Sequence, residues 1–295
     1  MTGFAFNHMD CGRLFKLFLI LVIFCSICNC VKAECFELEN TNANTNEIDN
    51  NRFIRCNYER FSVIINCPLS LTLLSWAKAP IPDKGDLDTS SRNYQLDPDA
   101  AALNCQQSTA NTYSTVVKGF DVGHLTPIDL LDDDINAALE ANYMTNLLPQ
   151  ADFFNRNGAW RRTEILAECY RDETQYSGDI NVFSGVIVGN DSSNDFFASS
   201  HGLVKTPDRF WKIIHARASK DRDGEYDAWI MSNSNNAKAN TLDQSRVTLS
   251  ALISVLVNDD SKLYLPVIRE LMNEIPLSAE RKKFSYNRRC HRMNG

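Results

Sequence analysis

The sequence lacks three features that define large protein classes. It has no cysteine spacing typical of zinc sites after residue 33, no apolar segment long enough to span a membrane and no internal repeat. No two of the six later cysteines form a Cys-x-x-Cys pair, so a zinc site held by cysteines is not expected. The longest apolar run, at residues 17–28, is too short for a comfortable membrane span. No internal repeat is found. These absences leave a globular domain as the expected form of the chain.

Positive charge is also scarce. The 295 residues include 30 Lys and Arg against 37 Asp and Glu, which gives a formal net charge of −7. Removing residues 1–33 takes away three basic residues and one acidic residue, so the charge becomes −9. A polyanion binder normally gains affinity from a cationic surface, but net charge does not decide the local field. The basic residues are locally concentrated, most strongly at residues 281–292 (RKKFSYNRRCHR).

The first 33 residues are predicted to be a signal peptide. Arg13 and Lys16 precede the apolar run, and residues 31–33 (Val-Lys-Ala) offer a small-x-small cleavage site. A retained signal anchor is the alternative, because the segment before the apolar run is unusually long. A cleaved signal predicts a secreted, extracellular protein with no stable membrane insertion after cleavage.

Cysteine content agrees with export to an oxidising compartment. Four of the ten cysteines lie in the predicted signal peptide, which leaves an even number in the mature chain. Three disulfides are expected, and the sequence does not choose among the fifteen pairings. The six cysteines are Cys35, Cys56, Cys67, Cys105, Cys169 and Cys290.

The mature chain of about 260 residues is long enough for one large domain with a substantial core. We expect a polar, Asn-rich N-terminal segment at residues 34–60, the domain at 61–275 and a basic C-terminal tail at 276–295. Apolar and β-branched runs predict strands, and longer periodic runs predict helices. The pattern favours an α+β fold, a mixed and largely antiparallel sheet flanked by helices. Strands are expected near 61–76, 180–188, 210–216 and 226–231, and helices at 247–257 and 263–273.

His124 is the first candidate catalytic residue. It ends the sequence Asp121-Val122-Gly123-His124, and Gly123 suits a strand end where the backbone must bend without hindrance from a Cβ atom. That arrangement would present His124 at the rim of a sheet, where an imidazole can accept a proton near neutral pH. Taken alone, a histidine beside a glycine is more often structural.

Asn155 and Glu164 are candidate metal-binding residues. Glu164 lies one helical turn after Trp160, so the two share a helix face, and Asn155 precedes both. An amide oxygen and a nearby carboxylate suit a hydrated, hard cation such as Mg²⁺, which keeps several of its waters. Together with a base and nearby arginines, this set indicates metal-assisted phosphodiester cleavage.

Three motifs follow one another in this part of the chain. They are Asp-x-Gly-His at 121–124, Asn-Tyr-x-x-Asn-x-x-Pro-Gln at 142–150 and Asn-x-x-x-x-Trp-x-x-x-Glu at 155–164. Upstream, residues 92–98 read Arg-Asn-Tyr-Gln-Leu-Asp-Pro. The whole pattern resembles the DNA/RNA non-specific endonucleases, which include secreted bacterial sugar-non-specific nucleases and mitochondrial endonuclease G.

The resemblance implies a ββα-metal (His-Me) finger site. His124 would be the general base that takes a proton from the attacking water. Its other ring nitrogen would be held by a backbone carbonyl, at the position occupied here by Asn142. Asn155 would bind Mg²⁺ directly, with Mn²⁺ as the alternative ion, and Glu164 would hold the water shell of the metal.

The resemblance also assigns supporting residues. Arg92 matches the family arginine that contacts the phosphate, Asn146 matches a supporting asparagine, and Asp121 matches a loop-fixing carboxylate. Arg156, Arg161 and Arg162 lie beside the proposed site, and Arg161 and Arg162 are further candidates for substrate binding. DNA and RNA would be the substrates, cleaved with little sequence specificity, because phosphate and metal contacts carry no base information.

Two departures from the family pattern leave alternatives open. Val122 stands where the family usually has an arginine, and one extra residue separates Asn155 from Trp160. Asn157 is therefore a rival for the metal ligand. The alternative function is a catalytically weakened, secreted nucleic-acid-binding protein that keeps the fold.

Overall fold

Eight strands among the described residues form one large sheet that carries most of the core. The computed structural model describes residues 34–39, 52–79, 93–109, 119–171, 180–196, 205–217 and 224–282. In chain order the strands of both sheets are β1 (Glu34–Glu37), β2 (Phe53–Asn57), β3 (Phe61–Asn66), β4 (Leu71–Ala79), β5 (Phe120–His124), β6 (Leu147–Ala151), β7 (Ile180–Ile187), β8 (Arg209–Ala216), β9 (Glu225–Ser232) and β10 (Glu280–Arg281). The large sheet has the order β1-β2-β3-β4-β7-β8-β9-β10, and β5 pairs with β6 in a second sheet. Strand pairs are antiparallel except for β10, which runs parallel to β9.

The central strands of the large sheet are buried along almost their whole length. β7 reads INVFSGVI and β8 reads RFWKIIHA, and every residue of the first and all but one of the second are buried. Such near-continuous apolar runs belong to strands covered on both faces, and their β-branched residues fit a pleated surface. The strands expected near 180–188, 210–216 and 226–231 are confirmed, as is the mixed α+β class.

Six α-helices of the described residues surround the sheets. They are α1 (Pro98–Ala102), α2 (Ile135–Glu140), α3 (Asp152–Arg156), α4 (Ala159–Arg171), α5 (Leu249–Asp260) and α6 (Leu265–Glu274). Short 3₁₀ helices lie at Ile128–Leu130, Met144–Asn146, Ser192–Asn194 and Ala239–Ser245. In the part of the chain that the structure covers, no helix is both long and apolar enough to cross a membrane.

The second sheet and the helix that follows it form the ββα unit of the expected fold. β5 and β6 pair along their full length, from Phe120 opposite Ala151 to His124 opposite Leu147. α3 and α4 follow directly and are separated by a break at Asn157 and Gly158. The break needs glycine, because a Cβ atom on Gly158 would lie 2.6 Å from both the Ala237 carbonyl oxygen and the Phe154 Cα.

Gly123 is required for a reason other than the expected bend. Its φ is not positive, and the strand continues through it to His124. A Cβ atom there would instead collide with the side chain of Gln150, which is fully buried on β6 opposite Asp121. The glycine therefore allows a close approach between the two strands rather than a turn.

The large sheet extends further towards both ends of the chain than the expected domain of residues 61–275. β1 and β2 come from the segment predicted to be a polar extension, and β10 comes from the predicted tail. The predicted signal peptide, residues 1–33, lies outside the described residues. A disulfide between Cys35 and Cys56 joins β1 to β2, which offsets the low apolar content of β1.

The cysteines in the described ranges are all disulfide-bonded. Cys67 pairs with Cys105, which links the turn after β3 to the segment after α1. Cys169 of α4 is also disulfide-bonded. Cys290 lies outside the described residues.

Candidate active site

A polar pocket of about 350 Å³ opens between the end of β5 and the start of α4. Four sequence-predicted residues line it: His124, Asn155, Arg161 and Glu164. The full lining is Tyr94, Val122, His124, Pro127, Ile128, Asp129, Asn155, Arg156, Arg161 and Glu164. The pocket thus combines one imidazole, two carboxylates, one amide and two guanidinium groups, a set suited to binding and cleaving an anionic substrate.

The imidazole of His124 is held by the side chain of Asn142. Its Nε2 lies 3.1 Å from Oδ1 of Asn142, and the amide nitrogen of Asn142 donates to the Ala138 carbonyl oxygen at 3.2 Å. Because Nδ2 is committed to a carbonyl, Oδ1 faces the imidazole and accepts from Nε2–H. In the neutral imidazole, the proton on Nε2 leaves Nδ1 as the basic nitrogen.

The residue expected to hold His124 is therefore correct, but the expected group is not. The backbone carbonyl of Asn142 accepts instead from the backbone N–H of Gln95, at 3.2 Å. The backbone N–H of Met144 then donates to the Gln95 carbonyl at 2.9 Å. The backbone carbonyl of Asn142 thus binds the segment around Gln95. The side-chain amide of Asn142 is the group that holds the His124 ring.

Trp160 fixes the backbone at the end of β5. Its indole Nε1–H donates to the carbonyl oxygen of His124 at 3.2 Å. The ring is fully buried and packs on Phe154 and Phe210, with ring centroids 5.9 Å and 5.3 Å away. Trp160 therefore supports the site from the buried core, as its position one turn before Glu164 predicts.

Asp121 organises the side chains of α3 beside the pocket. Its Oδ2 accepts from Nδ2 of Asn155 at 3.0 Å and from Nε of Arg156 at 2.8 Å. Its Oδ1 accepts from Nη2 of Arg156. Since the amide nitrogen of Asn155 is engaged, its Oδ1 is left as the atom able to bind a cation.

Glu164 lies in a buried network of charges. Arg161 Nη1 is 2.8 Å from Asp129, 3.3 Å from Glu164 and 3.5 Å from Glu168. Burial raises the pKa of Glu164, whereas the positive charges of Lys212 and Arg161 act in the opposite direction. Burial alone would lower the pKa of Arg161, but the charges of Glu164, Glu168 and Asp129 raise it above its ordinary value.

Lys212 completes this network from the large sheet. It is fully buried on β8, and its Nζ lies 3.8 Å from the centroid of the Trp160 ring. Nζ has no hydrogen-bond partner within the described ranges. Burial lowers the pKa of Lys212, and the negative charge of Glu164 opposes that shift. A buried cation behind Glu164 partly balances its charge.

The donors in the pocket fit a hard divalent cation. Asn155 and Glu164 offer one amide oxygen and one carboxylate, the ligand types that Mg²⁺ binds while it keeps several waters. Among the described residues, one cluster of histidine, cysteine or acidic side chains has ligand atoms close enough for a metal, namely Cys35, Cys56 and Asp97. The two sulfur atoms of that cluster are bonded to each other, so they are not available as thiolate ligands.

Comparison with known protein families agrees with this geometry. The family model described as DNA/RNA non-specific endonuclease matches residues 39–258, about three quarters of the chain. The chain belongs to the DNA/RNA non-specific endonuclease family. The match supports a nuclease, a hydrolase with DNA and RNA as its substrate class. The matched range includes β2 and β3.

Solved structures resemble this chain in fold. A chain from the crystal structure of the EndoG/EndoGI complex, which addresses the mechanism of EndoG inhibition, is 17% identical with a TM-score of 0.54. The similarity covers 68% of the present chain and 82% of the matched chain. No match was found among curated proteins.

The other sequence-predicted residues of the endonuclease lie around the pocket or outside it. Asn146 is fully buried, and its amide bonds to Thr126, Ser75 and the Ala141 carbonyl, so it supports the loop after His124 without lining the pocket. Arg162 and Asn157 do not line the pocket either. Arg92 lies outside the described residues.

Sequence reasoning missed two polar residues of the pocket, Tyr94 and Asp129. Tyr94 has its ring centroid 6.1 Å from that of His124. Its position within the Arg-Asn-Tyr motif was the available signal. Asp129 lies in the 3₁₀ helix after His124 and pairs with Arg161. No spacing in the sequence marks it, because its partner is 32 positions away.

Proposed function

We propose that the protein is a secreted, Mg²⁺-dependent endonuclease that hydrolyses phosphodiester bonds in DNA and RNA with little sequence specificity. The observation that carries the proposal is the meeting of His124, Asn155 and Glu164 in one polar pocket. Histidine provides a base near neutral pH, and the amide and carboxylate oxygens provide a foothold for the cation.

His124 acts as the general base. The bond from Nε2–H to Asn142 fixes the ring, so Nδ1 takes the proton of the attacking water. The hydrogen bond from Trp160 to the His124 carbonyl restrains the backbone, which reduces the reorganisation needed for the reaction.

Asn155 and Glu164 would hold the cation, Asn155 as a direct ligand and Glu164 through bound water. A bound Mg²⁺ supplies charge stabilisation for the phosphate and for the leaving 3′ oxygen. Asp121 orients the Asn155 amide, and Lys212 and Arg161 favour the charged form of Glu164. These three residues orient or tune the metal ligands without binding the metal themselves.

Tyr94 belongs to the segment that borders one side of the site. This segment is joined to Asn142 and Met144 through Gln95, and its Asp97 accepts a hydrogen bond from the buried Tyr58 hydroxyl. We assign Arg92 to phosphate binding on the family pattern. Secretion is supported by the disulfides of the described chain, which persist in oxidising compartments.

A binding protein with weakened catalysis is the second candidate, because the pocket presents Val122 where the family usually carries an arginine. Digestion of plasmid DNA and of RNA by the purified mature chain, with Mg²⁺ and with EDTA, separates the two. Metal-dependent cleavage that His124→Ala abolishes supports the endonuclease. Nucleic-acid binding without cleavage at any divalent-ion concentration supports the binding protein.

A further inference from the structure

We propose that Arg156 is a phosphate-binding residue of this pocket, with Asp121 holding one edge of its guanidinium so that the other edge meets the substrate. The inference rests on the proposed function, since it assigns a contact of the same nucleic-acid substrate. It differs from the sequence-based expectation, which placed Arg161 and Arg162 in that role.

The two arginines that line the pocket differ in their availability. Arg161 is shared among Asp129, Glu164 and Glu168, and its side chain is 31% exposed. Within the described ranges, Arg156 forms an ion pair with Asp121 alone, and its side chain is 64% exposed. Arg162 is not among the lining residues. Arg156 is therefore the pocket cation that a large anionic substrate can reach.

The geometry of the Arg156 pair leaves a complete donor edge. Asp121 accepts from Nε and Nη2, which together form one side of the planar guanidinium. A guanidinium has five N–H bonds, so the Nη1 hydrogens and the second Nη2 hydrogen remain for other acceptors. No further partner of Arg156 occurs in the described residues. The edge formed by Nη1 and Nη2 matches two phosphate oxygens.

The local chain path explains why the cation comes from α3. Arg156 is the last residue of this single-turn helix, directly after Asn155 and before the break at Gly158. Val122 on β5 lines the same pocket with an apolar side chain and supplies no charge. Asp121 bonds to both Asn155 and Arg156, so one carboxylate aligns the cation-binding amide with the phosphate-binding guanidinium.

The first test measures binding without cleavage. Binding of a labelled DNA duplex to the full mature chain is followed by fluorescence anisotropy in EDTA at several salt concentrations. Each lost phosphate contact lowers the slope of log K against log salt by about 0.9. Arg156→Ala and Arg156→Gln should both weaken binding and lower the slope by about this amount. Lys262→Ala removes an exposed charge between α5 and α6 and should leave the slope unchanged.

The second test moves the charge within the pocket. Val122→Arg in the Arg156→Ala background should restore the salt slope, because both positions line the same pocket. A purely structural role for Arg156, exerted through Asp121 on Asn155, would change the Mg²⁺ requirement of cleavage but not the salt slope in EDTA.

The outcomes separate this inference from the proposed function. An unchanged slope in both Arg156 variants, or an equal fall in Lys262→Ala, overturns the role of Arg156 even when the wild-type chain cleaves DNA. Absence of measurable binding by the wild-type chain in EDTA also overturns it. A lowered slope in a chain that never cleaves supports the phosphate contact and removes the endonuclease proposal instead.

Discussion

At the scale of single residues, the site depends on which atoms of two amides face which way. Asn142 presents Oδ1 to His124 because Ala138 takes its amide nitrogen. The amide nitrogen of Asn155 donates to Asp121, so its Oδ1 is the atom proposed to bind a cation. Each amide is thus oriented by one hydrogen bond, and the proposed basic nitrogen and the proposed metal ligand both follow from that orientation.

His124→Ala should lower phosphodiester cleavage by about 10²–10⁴-fold, the usual contribution of a positioned base. The half-buried side chain can be removed without opening a large cavity, so thermal unfolding should be little changed. Initial rates on plasmid DNA, together with a melting curve, check this. Near-normal turnover in a folded variant would exclude His124 as the base.

Asn155→Ala should raise the Mg²⁺ concentration for half-maximal cleavage by at least about tenfold, because it removes the amide oxygen that lines the pocket. Asn157→Ala is the matched control, since Asn157 is exposed and does not line the pocket. Titration of Mg²⁺ for both variants distinguishes them. A shift confined to Asn157→Ala would move the ligand two residues along the chain.

The residue types of the site were predictable from sequence, whereas the atoms in contact were not. His124, Asn155 and Glu164 stand at motif spacings, so their meeting in one pocket could be expected. The side-chain contact from Asn142 could not, because it depends on the docking of Gln95 against the Asn142 carbonyl. Such a contact arises from tertiary structure and leaves no periodic signal.

At the scale of elements, the break between α3 and α4 sets the positions of the pocket residues. Between Asn155 and Trp160 the chain leaves α3 at Asn157 and Gly158 and begins α4 at Ala159. The Ala159 N–H then donates to the Ala237 carbonyl at 2.8 Å, which anchors the start of α4. The position of Glu164 one turn after Trp160 therefore depends on this turn and its anchor.

Gly158→Ala should lower the free energy of unfolding by about 1–3 kcal/mol, the usual cost of overpacking. The added methyl group would meet backbone atoms of Phe154 and Ala237 at 2.6 Å, and backbone yields less than a side chain. Urea unfolding of Gly158→Ala and of the exposed neighbour variant Asn157→Ala compares the two positions. Equal stability of both variants would show that the turn tolerates a Cβ atom.

Element prediction succeeded where a strand or helix carries its own pattern. β7, β8 and β9 are long apolar runs, and α5 and α6 have helical periodicity. β1 has only four residues, none of them fully buried, and its place in the sheet depends on pairing and on a disulfide. Contacts distant in sequence decide such edge strands, so local patterns miss them.

At the scale of the whole molecule, the chain has a net negative charge and yet presents an exposed arginine at its pocket. The two observations are compatible. The formal charge of −7 is a sum over the whole sequence, whereas Arg156 lines the pocket itself. Composition alone therefore argued against a polyanion substrate, and the local arrangement argues for it. Only the folded chain brings the necessary charges together.

Stability of the whole fold should decrease in mild acid because of His215. This residue is buried on β8, and its ring nitrogens have no hydrogen-bond partner in the described ranges. Burial lowers the pKa of His215 to about 4, with Arg217 acting in the same direction and Glu274 against it. The folded value lies below the unfolded value of about 6.5, so the unfolded chain binds the proton first.

The free energy of unfolding should therefore fall as pH drops from about 6.5 towards 4, by about 3 kcal/mol in total from this group. Above that window the group contributes no pH dependence. Urea unfolding at pH 7 and pH 5 measures the fall. His215→Gln removes the titrating ring and should show a smaller difference between the two pH values. An identical fall in the variant would assign the acid sensitivity to other groups.

The packing of Trp160 against β8 has a consequence in time. The ring that holds the His124 carbonyl rests on Phe210 and Lys212, which a ribosome adds some 50 residues after Trp160. At roughly 5–20 residues per second, several seconds separate synthesis of the catalytic motif from synthesis of its support. We expect a growing chain that already contains His124, Asn155 and Glu164 to leave nucleic acid uncut during that interval. Phe210 and Lys212 are not yet present, so the Trp160 ring that holds the His124 carbonyl lacks their packing. Because β8 follows the motif residues in the chain, the proposed cleavage activity can begin only after most of the protein has been made.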